Sequence, residues 1–357
     1  MVGKLANVKV PGTFTALLAT VFLAAACGSQ PAAVSTPTST PTPKPPTTVS
    51  LTDQSGSIVT ALIDVAQAEG FFTKNDLNVQ LVQVSNGPAA ATALGVGAVD
   101  VATNAPTVFL PLAARGIKIE VIAGETTQTQ ALVGRPGLAG PSAFPKSVVA
   151  LKGMRIGVTA LSSNQQYGVQ AVLKSLGLPA DYVQFVATGK DAFPALSAGR
   201  VDAAILIGSK IAEAEKLGGK VLVDLRNKNS CPQVPICGIS SNAMWARTSW
   251  VQAHPSAVQG LRRAIAESYA FLHSKGQEKK VAAVLANLFG ANALTAGGAS
   301  SISNIVDITN GAFSRQDMRT WISFSLQNHI INSNLSVNAV YAPGTPESSS
   351  MLMKLAK

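Results

Sequence analysis

The feature that most constrains this fold is a repeated local pattern. The segment Ala93-Leu94-x-x-Gly97-x-Val99-Asp100-x-Ala102 recurs 102 positions later as Ala195-Leu196-x-x-Gly199-x-Val201-Asp202-x-Ala204. In each copy a helix is predicted to end, glycine provides the turn, and a buried strand starts at Val-Asp. Such spaced matches indicate an internal duplication. The alternative is coincidence, because Ala, Leu, Gly and Val are common in any alanine-rich α/β protein.

Alternating strand and helix patterns surround both copies. The first unit has predicted strands at 48–51, 78–84, 99–103 and 117–123 with helices at 58–66, 89–94 and 107–115. The second has strands at 154–159, 183–186, 201–207 and 221–225 with helices at 165–176, 192–198 and 211–217. Strands that alternate with helices predict a mainly parallel sheet covered on both faces. The 357 residues, 47% of them hydrophobic, also suit two such units.

The remaining sequence predicts how the units connect. Residues 238–244 are expected to form a strand that returns to the first unit, and the stretches 256–274, 281–289, 302–310 and 318–331 are expected to be helical. We therefore predict an α/β fold of two similar lobes with mainly parallel sheets flanked by helices. Crossing strands join the lobes, a helical region lies at the C-terminus, and a cleft separates the lobes.

The N-terminus has the parts of an export signal. Lys4 and Lys9 precede an apolar run at 14–26, which is too short to span a bilayer comfortably. The segment Leu23-Ala24-Ala25-Ala26-Cys27 resembles a bacterial lipobox, although its leucine stands one place further from the cysteine than usual. The resemblance implies acylation of Cys27 after cleavage. A plain secretory signal with an incidental cysteine is the alternative.

A spacer follows the proposed anchor. Residues 28–48 are rich in Pro, Ser, Thr and Ala and have nothing to bury, so they are expected to form an extended tether. Such a tether keeps a folded domain near a membrane partner. The predicted organisation is a signal peptide at 1–27, a tether at 28–48, lobe 1 at 49–128 and 238–345, and lobe 2 at 129–237.

Composition and motifs limit which ligands and which reactions this protein could support. The net charge of +10 reflects 18 acidic residues against 28 basic ones rather than a basic patch, so nucleic-acid binding is not expected. Cys231 and Cys237 are expected to form a disulfide in an oxidising compartment. Metal binding is the weaker alternative, because the histidines lie far from this pair. The sequence contains no P-loop, HExxH or GxSxG motif and no His/Cys cluster.

Several segments resemble one family of binding proteins. They are Ala68-Glu69-Gly70-Phe71-Phe72-x-Lys74-x-Asp76-Leu77, Gly87-Pro88, the two repeat copies, and Leu151-Lys152-Gly153-Met154-Arg155-Ile156-Gly157. Across residues 48–275 the chain resembles the type II periplasmic-binding-protein fold, within the ABC-importer components for nitrate, sulfonates, taurine and the thiamine pyrimidine precursor. The resemblance implies lobe closure over one small solute, an ABC permease partner and no cofactor. We expect a monomer.

Candidate ligand contacts lie in loops after strands. In open α/β sheets, ligands bind beyond the carboxyl ends of the strands, where helix N-termini expose N–H groups. The alternative role of these hydroxyls and amides is to cap the next helix, and that of the lysines is a solvated surface position. The candidates are Gln54, Ser55, Ser57, Ser85, Asn86, Gly87, Asn104, Ala105, Ser162, Ser163, Asn164, Tyr167, Lys190 and Ser209.

Three functional hypotheses remain open from the sequence. The favoured one is a binding lipoprotein for a small polar solute, either an anion such as nitrate or a sulfonate, or a pyrimidine. A second is an enzyme on the same fold, such as a pyrimidine synthase, a desulfinase or a menaquinone-pathway lyase, with a reactive cysteine or histidine in the cleft. A third is a sensory or adhesion lipoprotein that works without a permease.

Overall fold

Ten strands form two separate sheets in this computed structural model, which describes residues 45–54, 57–290 and 305–357. Cys27, the proposed signal and the tether up to residue 44 lie outside the described residues. The first sheet contains β1 (Thr47–Asp53), β2 (Leu77–Gln83), β3 (Val101–Asn104), β4 (Ile119–Thr127) and β10 (Ser240–Arg247). The second contains β5 (Gln130–Gly134), β6 (Arg155–Val158), β7 (Gln184–Ala187), β8 (Ala203–Ile207) and β9 (Lys220–Asp224).

The two sheets have the same topology. Their strand orders are β2-β1-β3-β10-β4 and β7-β6-β8-β5-β9, with three parallel strands followed by one antiparallel strand and an edge strand. The antiparallel strand comes from the other half of the chain in each case, because β5 follows β4 and β10 follows β9. We call the first sheet and its helices lobe 1, and the second sheet and its helices lobe 2. The predicted fold class is confirmed, including the returning strand.

Helices cover both sheets. The predicted helices are present with ends shifted by a few residues, and 305–308 is a helical turn within the predicted stretch 302–310, whose residues 302–304 lie outside the described part. The last long helix stops at Gln327 rather than at 331, because His329 turns the backbone with a left-handed φ of 54°. The helices are α1 (Ala61–Ala68), α2 (Phe71–Lys74), α3 (Gly87–Val96), α4 (Pro106–Ala114), α5 (Lys146–Val149), α6 (Asn164–Ser175), α7 (Ala192–Ser197), α8 (Ser209–Lys216), α9 (Thr248–Ala253), α10 (Pro255–Leu272), α11 (Glu278–Phe289), α12 (Arg315–Gln327) and α13 (Ser349–Met353). None of the helices in the described residues is long and apolar enough to cross a membrane.

The repeated motif makes the same contact in both lobes. Asp100 accepts hydrogen bonds from the backbone N–H and the hydroxyl of Ser50 on β1, at 2.9 and 2.7 Å. Asp202 accepts one from the backbone N–H of Arg155 on β6, at 3.0 Å. Each aspartate therefore ties the start of one strand to the neighbouring parallel strand of its sheet, β3 to β1 and β8 to β6. The strands begin two residues after the predicted Val-Asp position, at Val101 and Ala203.

The tryptophans lie in the core. Trp245 and Trp321 are fully buried, and Trp250 is 8% exposed. Trp245 stacks on Phe109 with ring centroids 5.1 Å apart, and its indole N–H donates to the backbone carbonyl of Asn104 at 3.3 Å. A buried indole needs such a partner. The core of lobe 1 is thereby connected to the end of β3.

Candidate ligand-binding cleft

The carboxyl ends of the strands meet at the cleft. Because β10 is antiparallel to both β3 and β4, β4 runs parallel to β3, and the ends of β1 to β4 share one edge of the first sheet. At that edge the lobes touch: the Thr107 hydroxyl donates to the Asn164 side-chain carbonyl at 3.3 Å, and the Asn164 amide donates to the Ser241 hydroxyl at 3.5 Å. Asn164 thus joins the start of α6 to α4 and β10.

The predicted loops of lobe 1 converge. Asn86 caps α3 by accepting from the N–H of Ala89 at 2.9 Å, and its amide donates to Ser85 at 3.1 Å. Gly87 allows Asn104 to approach, since a Cβ on Gly87 would lie 2.8 Å from Asn104 Oδ1. The same oxygen accepts from the N–H of Ala105 at 2.9 Å.

The first predicted loop is described only in part. Gln54 follows β1, is half-buried, and its amide nitrogen has no hydrogen-bond partner in the described part of the chain. Ser57 precedes a 3₁₀ turn at Ile58–Thr60 without capping it through its hydroxyl in the described structure. Ser55 lies outside the described residues.

The predicted loop of lobe 2 is largely occupied by capping. Ser163 caps α6 by accepting from the N–H of Gln166 at 3.4 Å, so the alternative capping role is realised. Ser162 has a left-handed φ of 60°, and its N–H donates to Gln166 Oε1 at 2.7 Å. Gln165 accepts from the N–H of Thr159 at 2.5 Å. The side chains of Gln165 and Gln166 therefore hold this loop in shape.

Lys190, Tyr167 and Ser209 are the remaining predicted ligand contacts. Lys190 is exposed in the 3₁₀ turn Gly189–Asp191. Tyr167 is half-buried and packs against the apolar core. Ser209 begins α8 and follows Gly208, where an added Cβ would lie 3.0 Å from Ile58 of lobe 1. Ser209 therefore adjoins a contact between the lobes.

An acidic cluster in lobe 1 was not predicted. Asp53 ends β1 and accepts from the Gln83 amide at 2.6 Å, and Asp64 on α1 accepts from the Thr60 hydroxyl at 3.1 Å. Burial, followed by the charge of Asp53, raises the pKa of Asp64 to about 7. Burial and the charges of Asp64 and Asp53 raise the pKa of Glu125 on β4 well above its usual range. We call these three residues the carboxyl cluster.

Several buried polar atoms at this edge lack partners. Among the described residues, no group pairs with either carboxylate oxygen of Glu125, either amide atom of Gln128, or the amide oxygen of Gln130. The sequence carries a signal for them, because residues 125–130 form an unbroken polar run, Glu-Thr-Thr-Gln-Thr-Gln, directly after an apolar strand. Five of the six are buried, as only Thr127 is partly exposed. The run leads from lobe 1 into β5, the strand that the sequence prediction missed.

The cysteine pair closes a short loop. Cys231 and Cys237 form a disulfide with their Cα atoms 6.1 Å apart, and both are buried. The predicted pairing is confirmed, and neither sulfur is a free thiol. Within residues 45–54, 57–290 and 305–357, no three His, Cys, Asp or Glu side chains are grouped so that they could hold a metal ion.

Two α/β lobes with matched sheets and two crossing strands define the periplasmic-binding-protein fold. Among the solved structures that share it are the following three. A protein from Bordetella bronchiseptica RB50 is 22% identical, with a TM-score of 0.69 over 86% of this chain and 96% of its own. The alkanesulfonate-binding protein SsuA from Xanthomonas axonopodis pv. citri, bound to MOPS, is 15% identical (TM-score 0.68; 84% and 99% covered). The periplasmic nitrate-binding protein NrtA from Synechocystis PCC 6803 is 12% identical (TM-score 0.66; 87% and 88% covered).

The family follows from the sequence. The model of the NMT1/THI5-like family matches residues 58–279, and the chain belongs to that family. A search of curated proteins finds no match to the chain.

Proposed function

We propose that this chain is an extracytoplasmic substrate-binding lipoprotein of an ABC importer, which captures a small polar solute between its lobes. The observation that carries the proposal is the set of buried, unpartnered atoms of Glu125, Gln128 and Gln130 where the chain crosses between the lobes. Leaving one such group without a hydrogen bond costs about 1–3 kcal/mol. A polar solute that supplies the missing partners would recover this cost and favour the closed state.

The proposed solute is either a small anion, sulfonate-like or nitrate-like, or a pyrimidine-like compound. The N-terminus of α6, a helix of 12 residues, supports an anionic group, because Asn164 at its start contacts lobe 1 and the first turn of a helix favours negative charge. Structures with the same fold include an alkanesulfonate-binding protein and a nitrate-binding protein. The fourteen residues predicted from the sequence, with Gln128 and Gln130 added, are the proposed contacts.

Anchoring and transport complete the proposal. Acylation of Cys27 would hold the protein at the outer face of the cytoplasmic membrane, and residues 28–48 would let it reach a permease. Deletion of a neighbouring permease gene should abolish uptake of the solute. Uptake that persists without any permease would favour the sensory alternative.

A thermal-shift screen tests solute binding. The exported chain with Cys27→Ser is heated with nitrate, alkanesulfonates, taurine and pyrimidines. A solute at a hundredfold excess over its Kd should stabilise the fold by about 2.7 kcal/mol. Gln128→Ala should reduce the shift, and Gln277→Ala, at an exposed position, should retain it. If no solute raises the melting temperature, the proposal is wrong.

The enzyme alternative makes a different prediction. It requires a reactive cysteine or histidine, and the bridge between Cys231 and Cys237 leaves no thiol at those two positions. Solute recovered after incubation should be chemically unchanged by mass spectrometry. A change that needs the intact protein would favour the enzyme.

A further inference from the structure

We infer that the carboxyl cluster of Asp53, Asp64 and Glu125 is a subsite for a positively charged nitrogen, so that the captured solute carries a protonated amine or amidinium group. This inference deepens the proposed function and rests on it. Among the solutes that the resemblance implies, it favours those that carry a basic nitrogen over nitrate and simple alkanesulfonates, and it names the residues that would hold that nitrogen.

Three carboxyl groups from three elements lie near enough to interact, since the side chains of Asp53 and Asp64 are hydrogen-bonded and the charges of both act on Glu125. Asp53 lies at the end of β1, Asp64 on α1 and Glu125 near the end of β4, and the two strand ends share the cleft edge of the first sheet. The 3₁₀ turn that leads into α1 packs against β4, the strand that carries Glu125. The same turn carries Ile58, the residue that meets Gly208 of lobe 2.

Glu125 is the observation that points to a ligand. It is fully buried, and neither of its carboxylate oxygens has a hydrogen-bond partner in the described structure. The neighbouring aspartates are held by neutral donors, the Gln83 amide and the Thr60 hydroxyl. Among the described residues, no ion pair involves Asp64 or Glu125. Within the part of the chain that the structure describes, no side-chain cation therefore compensates Asp64 or Glu125.

The electrostatics favour an organic cation over the other occupants. Buried carboxyl groups that repel one another have raised pKa values, as Asp64 and Glu125 do, and a positive charge placed between them reverses that effect. A sulfonate or nitrate at the same place would add to the repulsion. A metal ion is disfavoured because the cluster lacks the grouping of ligands that would hold one, within the described residues.

The experiment compares matched solutes that differ in one charge. Titration calorimetry on the exported chain measures ethanesulfonate against 2-aminoethanesulfonate, propanol against propylamine, and pyrimidine against 4-aminopyrimidine. The cationic or protonatable member of at least one pair should bind the wild type about 30-fold more tightly than its partner, the size expected for a buried charge pair. Glu125→Gln should reduce that preference to about twofold while the partner's affinity is retained.

Controls separate the possible failures. Glu120→Gln alters the other end of β4 and should keep the preference. If Glu125→Gln does not fold, Asp64→Asn replaces it with the same expectation. A preference that persists in both cluster variants overturns the inference, as does equal binding within every pair. A response to Zn²⁺ or Mg²⁺ alone that Glu125→Gln abolishes would also overturn it, in favour of a metal site. If no member of any pair binds, the subsite inference is wrong, and the proposed function fails with it only if the thermal-shift screen, which includes nitrate, is negative too.

Discussion

Replacement of Asp64 by Asn should change how the stability of the protein depends on pH. Asp64 is 9% exposed, and its pKa rises from 3.8 to about 7 because of burial first and the charge of Asp53 second. The folded state therefore holds a proton that the unfolded chain releases near pH 4. Protonated Asp64 contributes to the free energy of unfolding. This contribution is fully present below the unfolded pKa of 3.8, and it is lost as pH rises through the folded pKa of about 7.

The size of the effect follows from the two pKa values. Each pKa unit corresponds to about 1.36 kcal/mol, so the loss between pH 4 and pH 8 amounts to about 4 kcal/mol. Asparagine stays neutral throughout. The free energies of unfolding of Asp64→Asn and wild type should differ little at pH 4, and the variant should be more stable by about 4 kcal/mol at pH 8.

Urea unfolding at several pH values measures this difference. Asp181→Asn, at an exposed position, is the matched control and should follow the wild type at every pH. The buried groups that face Asp64 are Asp53 on β1, Glu125 on β4 and Thr60 in the preceding turn. A difference between Asp64→Asn and wild type that is constant from pH 4 to pH 8 would refute the reasoning.

Two further predictions concern the closure of the lobes and the cysteine loop. Gly208→Val should weaken solute binding at least tenfold by calorimetry, because its side chain would collide with Ile58 of the other lobe, whereas Gly177→Ala shares the left-handed backbone with open space around it and should bind normally. Equal affinities in the two variants would contradict the contact between lobes. Replacement of Cys231 and Cys237 by Ser should lower the free energy of unfolding by about 2 kcal/mol, as expected for so short a loop. Urea midpoints that match those of reduced wild type would confirm that the bridge is responsible.

The predicted fold and the predicted site differ in how they depend on local sequence. Alternating strand and helix patterns, the two Val-Asp repeats and the cysteine pair are local features, and each was read correctly because burial imposes its period on nearby residues. The missed strand β5 shows the limit. Only five residues long, it begins with the polar residue Gln130, so it has no clear period of its own, and its place between β8 and β9 exists only in the assembled sheet.

In the candidate site, the difference between what local sequence sets and what tertiary packing sets is larger still. The amino-acid sequence by itself determined the loops after β1, β2 and β3, and the capping residues such as Asn86 and Ser163 that shape them, because a cap needs only its own helix. Only the tertiary structure placed Asp53, Asp64 and Glu125 together. They lie on separate elements, and their proximity arises when α1 packs over the first sheet and β4 takes its place at the sheet edge. Charge repulsion and desolvation act through space, so they are set by packing and not by sequence order.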